Sequence, residues 1–188
     1  RLEMEIIIIT MIIIYTEEDL CQRLQRCKIL KNVNILYYIL MTINSIKELI
    51  QIINFKIKKN INVIELFNEF DNYNSNDWEV YKNKFDQTDG YQKIVIFKDD
   101  VFELILIKWS KGSTTKIHSH PKNGCLLKHL QGKLLEEKYL DNILYKKTVI
   151  TDNITSYMHD KIGQHKIIAE EDSYSLHFYS PPNFYNMV

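Results

Sequence analysis

Cysteine is scarce: the 188 residues hold three, Cys21, Cys27 and Cys125, at no regular spacing. That excludes a disulfide framework and suits a reducing compartment, so a cytoplasmic protein is expected. Charge of one sign is lacking as well. The 24 Lys and Arg balance the 24 Asp and Glu, and no basic patch is interleaved with aromatics, which argues against a nucleic-acid partner. The cluster from Lys56 to Lys59 reads as a solvated loop between helices. Long hydrophobic runs are missing too. The apolar stretch from Ile6 to Ile14 is much shorter than the roughly 20 residues of a spanning helix, so no membrane partner is expected. Arg1 precedes it as in a signal peptide, but no small-residue cleavage site follows before Glu17-Glu18-Asp19. It reads as a buried or aggregation-prone strand, or as sequence foreign to the domain. There is no internal repeat, and the abundance of Ile, Asn and Lys reads as base-composition bias.

What is present is concentrated. All six histidines fall between residues 118 and 177, and two form the pair His118-Ser119-His120. On a strand, side chains alternate faces, so both imidazoles project to one side and can share a metal ion. The run Phe102 to Trp109, closed by Ser110-Lys111-Gly112, predicts a strand and a turn, which puts the histidine pair at the start of the next strand. A metal site needs a third ligand. His165 follows a turn at Gly163 and enters an apolar run, where a returning strand would carry it. His159, beside Asp160 and Lys161, reads as a surface residue, and His129 as solvated or packed without a role.

The length suits one domain with an ample core. Thr16 with Asp19 predicts a helix through about Leu30. Ser45, with Glu48 as its capping-box partner, predicts a second helix to Phe55, with Ile46, Leu49, Ile50 and Ile53 at helical spacing. A third is predicted over Val63 to Phe70.

Several separate motifs, in order, carry a resemblance. The frame Gly112 to Gly132 resembles the first cupin motif, with Cys125 where most cupins place a glutamate ligand. Ser175-Leu176-His177-Phe178-Tyr179-Ser180-Pro181-Pro182 resembles the corresponding stretch of the cysteine dioxygenase type I family almost letter for letter. Upstream, Tyr73 to Tyr81 and Lys84-Phe85-Asp86 are similar to that family's segments before the barrel. The resemblance covers residues 44 to 188 and leaves residues 1 to 43 as an N-terminal segment of uncertain status.

It implies an all-β cupin (jelly-roll) barrel with an N-terminal α-helical segment, α+β overall. It makes His118, His120 and His165 the ligands of Fe(II), and Cys125 with Tyr179 a pair joined as a thioether. His177 would hydrogen-bond the Tyr179 hydroxyl, with Ser175 orienting His177 and the Ser180-Pro181 bond cis. The alternation of Ser175, His177 and Tyr179 places them on one strand face, so these roles are geometrically coherent. The family binds the substrate carboxylate with arginine in a Tyr-x-Arg segment; here the matching segment is Tyr91-Gln92-Lys93, given one inserted residue near Asp89-Gly90 and one deleted around Asp99-Asp100. Lys93 can neutralise a carboxylate as a point charge but lacks the bidentate fork. Tyr91 shares its face and is a second candidate for substrate contact.

The implied activity is oxidation of L-cysteine by O2 to cysteine sulfinic acid in a monomer, a step of cysteine catabolism toward taurine. The chemistry agrees: three neutral imidazoles leave the metal its full dipositive charge, which favours an incoming thiolate and leaves positions for dioxygen. Two further readings stay open, a metal-binding cupin without turnover and a dioxygenase for another small thiol. Cys125, His177 and Tyr179 have no purpose in a plain binding cupin. Lys93 and the stop at Val188, which is expected to remove the last barrel strand, speak against full activity.

Overall fold

The computed structural model describes residues 42–57 and 62–184. The helix predicted from Thr16 and the run Ile6 to Ile14 lie outside the described residues. Helix α1 (Ile46–Ile57) forms where predicted. Ser45 Oγ accepts the Glu48 N–H at 3.1 Å, while the Glu48 carboxylate takes the N–H of Asn44 at 3.0 Å, one residue further back than a capping box requires. Asp77 accepts the Ile46 N–H at 2.8 Å and so satisfies another orphan donor of the first turn. The third expected helix divides. A 3-10 turn over Val63–Leu66 passes into α2 (Phe67–Asn72), since β-branched Val63 and Ile64 lose side-chain freedom in a regular helix. A second 3-10 segment covers Asp77–Lys84.

Eight strands follow: β1 (Tyr91–Lys98), β2 (Glu103–Trp109), β3 (Cys125–Gln131), β4 (Leu134–Leu140), β5 (Ile143–Ile150), β6 (Thr155–Met158), β7 (Gln164–Ala169) and β8 (Ser173–Tyr179). They form a five-stranded sheet in the order β1-β2-β8-β3-β6 and a three-stranded sheet in the order β5-β4-β7, with antiparallel pairing throughout. This is the cupin barrel. The final strand β8 is flanked by β2 and β3 and so is not a sheet edge.

Strands β2 and β8 at the centre of the larger sheet are buried on both faces, which is why β2 is apolar without alternation from Leu104 to Ile107. The sheet's outer face, with Leu104, Leu106, Leu126, Leu176 and Phe178, packs under α1, the first 3-10 turn and α2 through Leu49, Ile53, Leu66 and Phe70. Its inner face, with Ile105, Ile107, Trp109 and Leu127, meets Leu134, Ile150, Ile167 and Ala169 inside the barrel. Each such large apolar side chain contributes roughly 1.5–3 kcal/mol on burial. Gly132 closes the β3–β4 turn at φ +86°, where a Cβ would collide with Asp172 O and Ser173 Oγ.

The histidine pair does not lie on a regular strand as expected. Single bridges, Thr114 to Ile168 and His118 to His165, lay the segment beside β7. His120 precedes Pro121, which has no N–H to extend a ladder.

Candidate metal centre

The bridge between His118 and His165 brings their side chains together across the barrel mouth. Their Nε2 atoms are 3.1 Å apart, and the ring of His120 lies 4.5 Å from that of His165, centroid to centroid. One nitrogen from each of the three lies within 4.8 Å of the others, the single such group among the described residues.

The hydrogen bonds of these rings decide what the nitrogens can do. His118 Nδ1–H donates to Lys116 O at 2.9 Å, and His165 Nδ1–H donates to Glu136 Oε1 at 2.8 Å. The Nε2 atom of His118 therefore turns toward that of His165. His120 is buried with neither ring nitrogen hydrogen-bonded; Asp160 Oδ1 lies 3.3 Å from its Nδ1 without hydrogen-bond geometry and instead accepts the His120 backbone N–H at 2.7 Å. Burial, with the neighbouring His165, pushes His118 down to about 4 and His120 down to about 2, so both are neutral at pH 7. Three converging imidazoles, one of them with both ring nitrogens left without a partner, fit a divalent cation.

Glu136, which sequence reading passed over, stands behind His165. It is 1% exposed. Its second oxygen accepts Ser156 Oγ–H at 2.9 Å and lies 3.3 Å from Lys138 Nζ. Burial raises the carboxyl pKa, but the bond to His165, Lys138 and Ser156 outweigh it and hold Glu136 below the usual carboxylate range. A carboxylate on the outer nitrogen fixes the tautomer and orientation of a ligating histidine. The signal was its position two residues after Leu134, on the inward face of β4.

A second polar chain crosses β2 and β8. Trp109 Nε1–H donates to Ser175 Oγ at 2.8 Å, Ser175 Oγ lies 2.8 Å from His177 Nε2, and His177 Nδ1 lies 3.2 Å from the Tyr179 hydroxyl. Burial drives His177 well below its ordinary pKa and Tyr179 well above. His177 is thus neutral, so its ring donates one of these two hydrogen bonds and accepts the other. Trp109 also escaped the sequence reading as a site residue. Its indole N–H, on the inward face at the end of an apolar run, was the available signal.

Cys125 lies opposite Tyr179 in the β3–β8 register. Burial, and then Glu136, push its thiol pKa up. Lys93 and Tyr91 face a cavity of about 310 Å³ that is also lined by Trp109, His118, His165, His177, Tyr179 and Phe184. Lys93 Nζ lies 5.5 Å from the Tyr91 ring centroid. Burial lowers the Lys93 pKa and Glu103 raises it in part. His129 and His159 stand apart: His129 is packed and donates to Gly132 O at 2.8 Å, and His159 is half-buried and donates to Lys122 O at 3.0 Å. Ser180-Pro181 is cis. Among the described residues no helix is long and apolar enough to cross a membrane.

The sequence pattern of "Cysteine dioxygenase type I" matches residues 39–186. The chain belongs to the cysteine dioxygenase type I family. Similar curated members are "Cysteine dioxygenase type 1" of Bos taurus, 36% identical over 134 residues, and of Homo sapiens, 34% identical over 134 residues, each alignment covering 65% of this chain and 66% of the relative. The protein of Danio rerio is 33% identical, over 65% of this chain and 67% of that one. The chain thus spans 66% of the length of the first relatives it matches. Among solved structures it is similar to KdgF from Halomonas sp., with 19% identity, a TM-score of 0.45 and coverage of 55% of this chain and 91% of that one. It is similar also to an RmlC-like cupin from Shewanella frigidimarina NCIMB 400, with 14% identity, a TM-score of 0.45 and coverage of 55% and 86%. All nine residues singled out for this family's chemistry, from Tyr91 to Tyr179, fall inside the matched span.

Proposed function

We propose that the protein is a mononuclear non-haem iron thiol dioxygenase that converts L-cysteine and O2 to cysteine sulfinic acid, both oxygen atoms going to the one sulfur. The observation that carries this reading is that His118 and His165 of the three-histidine cluster, the His177–Tyr179 pair and Lys93 line a single cavity. Fe(II) held by His118, His120 and His165 would supply open coordination positions and Lewis acidity for a thiolate and dioxygen.

The chain's own residues do the rest. Glu136 holds His165 with its Nε2 aimed into the cluster. Trp109, Ser175 and His177 hold the Tyr179 hydroxyl through a chain of hydrogen bonds. Tyr179 lines the cavity, where its hydroxyl would meet the substrate carboxylate or an oxygen at the sulfur. Lys93, with Tyr91 beside it, supplies the positive charge for that carboxylate. Cys125, opposite Tyr179, is placed for the thioether that would lock the phenol in position. The domain over residues 44 to 188 would act as a monomer in a reducing, cytoplasmic setting, where Fe(II) and free thiols persist.

Oxygen uptake by anaerobically iron-loaded protein on addition of L-cysteine tests this, with mass spectrometry of the product. Steady formation of cysteine sulfinate is the expected result. Iron binding without any sulfinate would leave a metal-binding cupin.

A further inference from the structure

A lysine stands behind the three histidines. Lys138 on β4 is the direct register partner of His165 on β7, and its side chain is 14% exposed. Its Nζ lies 3.3 Å from Glu136 Oε2, on the carboxylate whose other oxygen accepts His165 Nδ1–H at 2.8 Å, and it donates to Tyr157 O at 3.5 Å. Lys138, Glu136 and His165 thus form one line of contacts that ends at the His165 Nε2 facing His118. A lysine is seldom buried this far, because its charge is stripped of water. Glu136 Oε2 already accepts Ser156 Oγ–H at 2.9 Å, so what Lys138 adds there is charge and not a first hydrogen bond.

We propose that Lys138 is the counter-charge of the metal centre: it cancels the Glu136 carboxylate behind His165, keeps the centre at the full charge of a dication on three neutral imidazoles, and so suits it to an anionic thiolate. The inference rests on the iron thiol dioxygenase reading and deepens it. Without Lys138, the buried Glu136 would lend its negative charge to the ligand set through His165, much as a ligating carboxylate does, and the centre would attract a thiolate less. With Lys138 in place, the two formal charges sum to zero. Asp160, the carboxylate near His120 Nδ1, is 52% exposed at its side chain, so water screens it. The field of Lys138 reaches the ligands themselves. It works against positive charge on His120, adding to the larger effects of burial and of the neighbouring histidines, and a dication at that ring would meet the same field. At Cys125, where burial acts most strongly, Glu136 raises the thiol pKa and Lys138 draws it back.

Anaerobic competition for Fe(II) against a chelator of known affinity tests this, followed by calorimetric titration of the iron-loaded proteins with L-cysteine. Lys138→Met removes the charge and keeps an unbranched side chain. It is expected to bind Fe(II) roughly tenfold more tightly, the effect of a unit charge on a dication across a partly screened interior, and to bind L-cysteine roughly threefold more weakly. Lys138→Arg keeps the charge and is expected to restore the wild-type values. A lysine that served only to hold Glu136 in place would give the opposite sign in Lys138→Met, since a loosened Glu136 weakens the metal. Should Lys138→Met not fold, Lys138→Gln gives the same comparison. Iron binding that is unchanged or weaker in the uncharged variant, or cysteine binding that is undiminished, would overturn the proposal. Wild-type protein that holds iron but binds no cysteine would overturn the dioxygenase reading, and the iron affinities would then decide the role of Lys138 by themselves.

Discussion

Cys125 and Tyr179 face one another as direct register partners across β3 and β8. Side chains in such a pair stand about 4.5–5.5 Å apart at Cβ, which leaves the Cys125 sulfur beside the phenol ring. Burial keeps the thiol protonated, so the sulfur is not a free nucleophile and joining it to the ring needs an oxidant.

The first prediction follows from that pair. Protein incubated with Fe(II), cysteine and O2 is expected to lose two hydrogens as a sulfur–carbon bond forms, with the electrons passing to O2. Intact-mass spectrometry checks it. Tyr179→Phe and Cys125→Ala are expected to show no mass loss, and a loss retained in either variant would place the bond elsewhere.

Metal retention is expected to depend on Glu136 as well as on the histidines. His165→Ala removes a ligand and is expected to abolish stoichiometric iron binding, because two ligands cannot close the site. Glu136→Gln removes only the charge behind His165 and is expected to weaken the metal about 10–100-fold. Competition against a chelator of known affinity measures both, and unchanged affinity in Glu136→Gln would reduce Glu136 to a packing residue.

Ser175 lies between two buried partners, so its removal leaves Trp109 Nε1–H and His177 Nε2 unsatisfied. Ser175→Ala is expected to cost about 1–3 kcal/mol of stability in denaturant titrations. Turnover is expected to fall with iron content unchanged, since His177 loses the bond that holds its ring against Tyr179. Normal turnover in the variant would separate the chain from the chemistry.

Lys128 gives a stability signature in pH. It is buried under α2, donating to Asp71 O at 3.0 Å, and burial, partly offset by Asp71, lowers its pKa to about 8. An unfolded lysine titrates near 10.4. Between these values the unfolded chain binds more protons, so this group makes stability rise with pH across the window and contributes no slope below it. Lys128→Met is expected to remove that rise, and the wild type should gain about 3 kcal/mol on the variant between pH 7.5 and pH 10.5. Parallel curves for the two proteins would show that Lys128 is solvated in the native state.

Ser175, His177 and Tyr179 were singled out by the resemblance of their segment to the family, and alternation put them on one strand face, as the structure has them. His165 was legible from Gly163 and the apolar run behind it. The histidine pair was expected to meet a third histidine and does, but on a different backbone, since two single bridges next to a proline leave no periodic trace. Glu136 and Trp109 were missed for a different reason. Their roles depend on which strand lies across the barrel, a non-local relation that spacing along the chain does not encode.

The two-sided burial of β8 has an evolutionary corollary. Its odd-numbered positions Ser175, His177 and Tyr179 serve the pocket, while Tyr174, Leu176 and Phe178 serve the helical layer outside. Loss or gain of one residue would exchange the sets, sending Phe178 into the cavity and His177 beneath the helices. Length variation is closed to this strand, and its descent is confined to substitutions that keep the two interleaved alphabets apart.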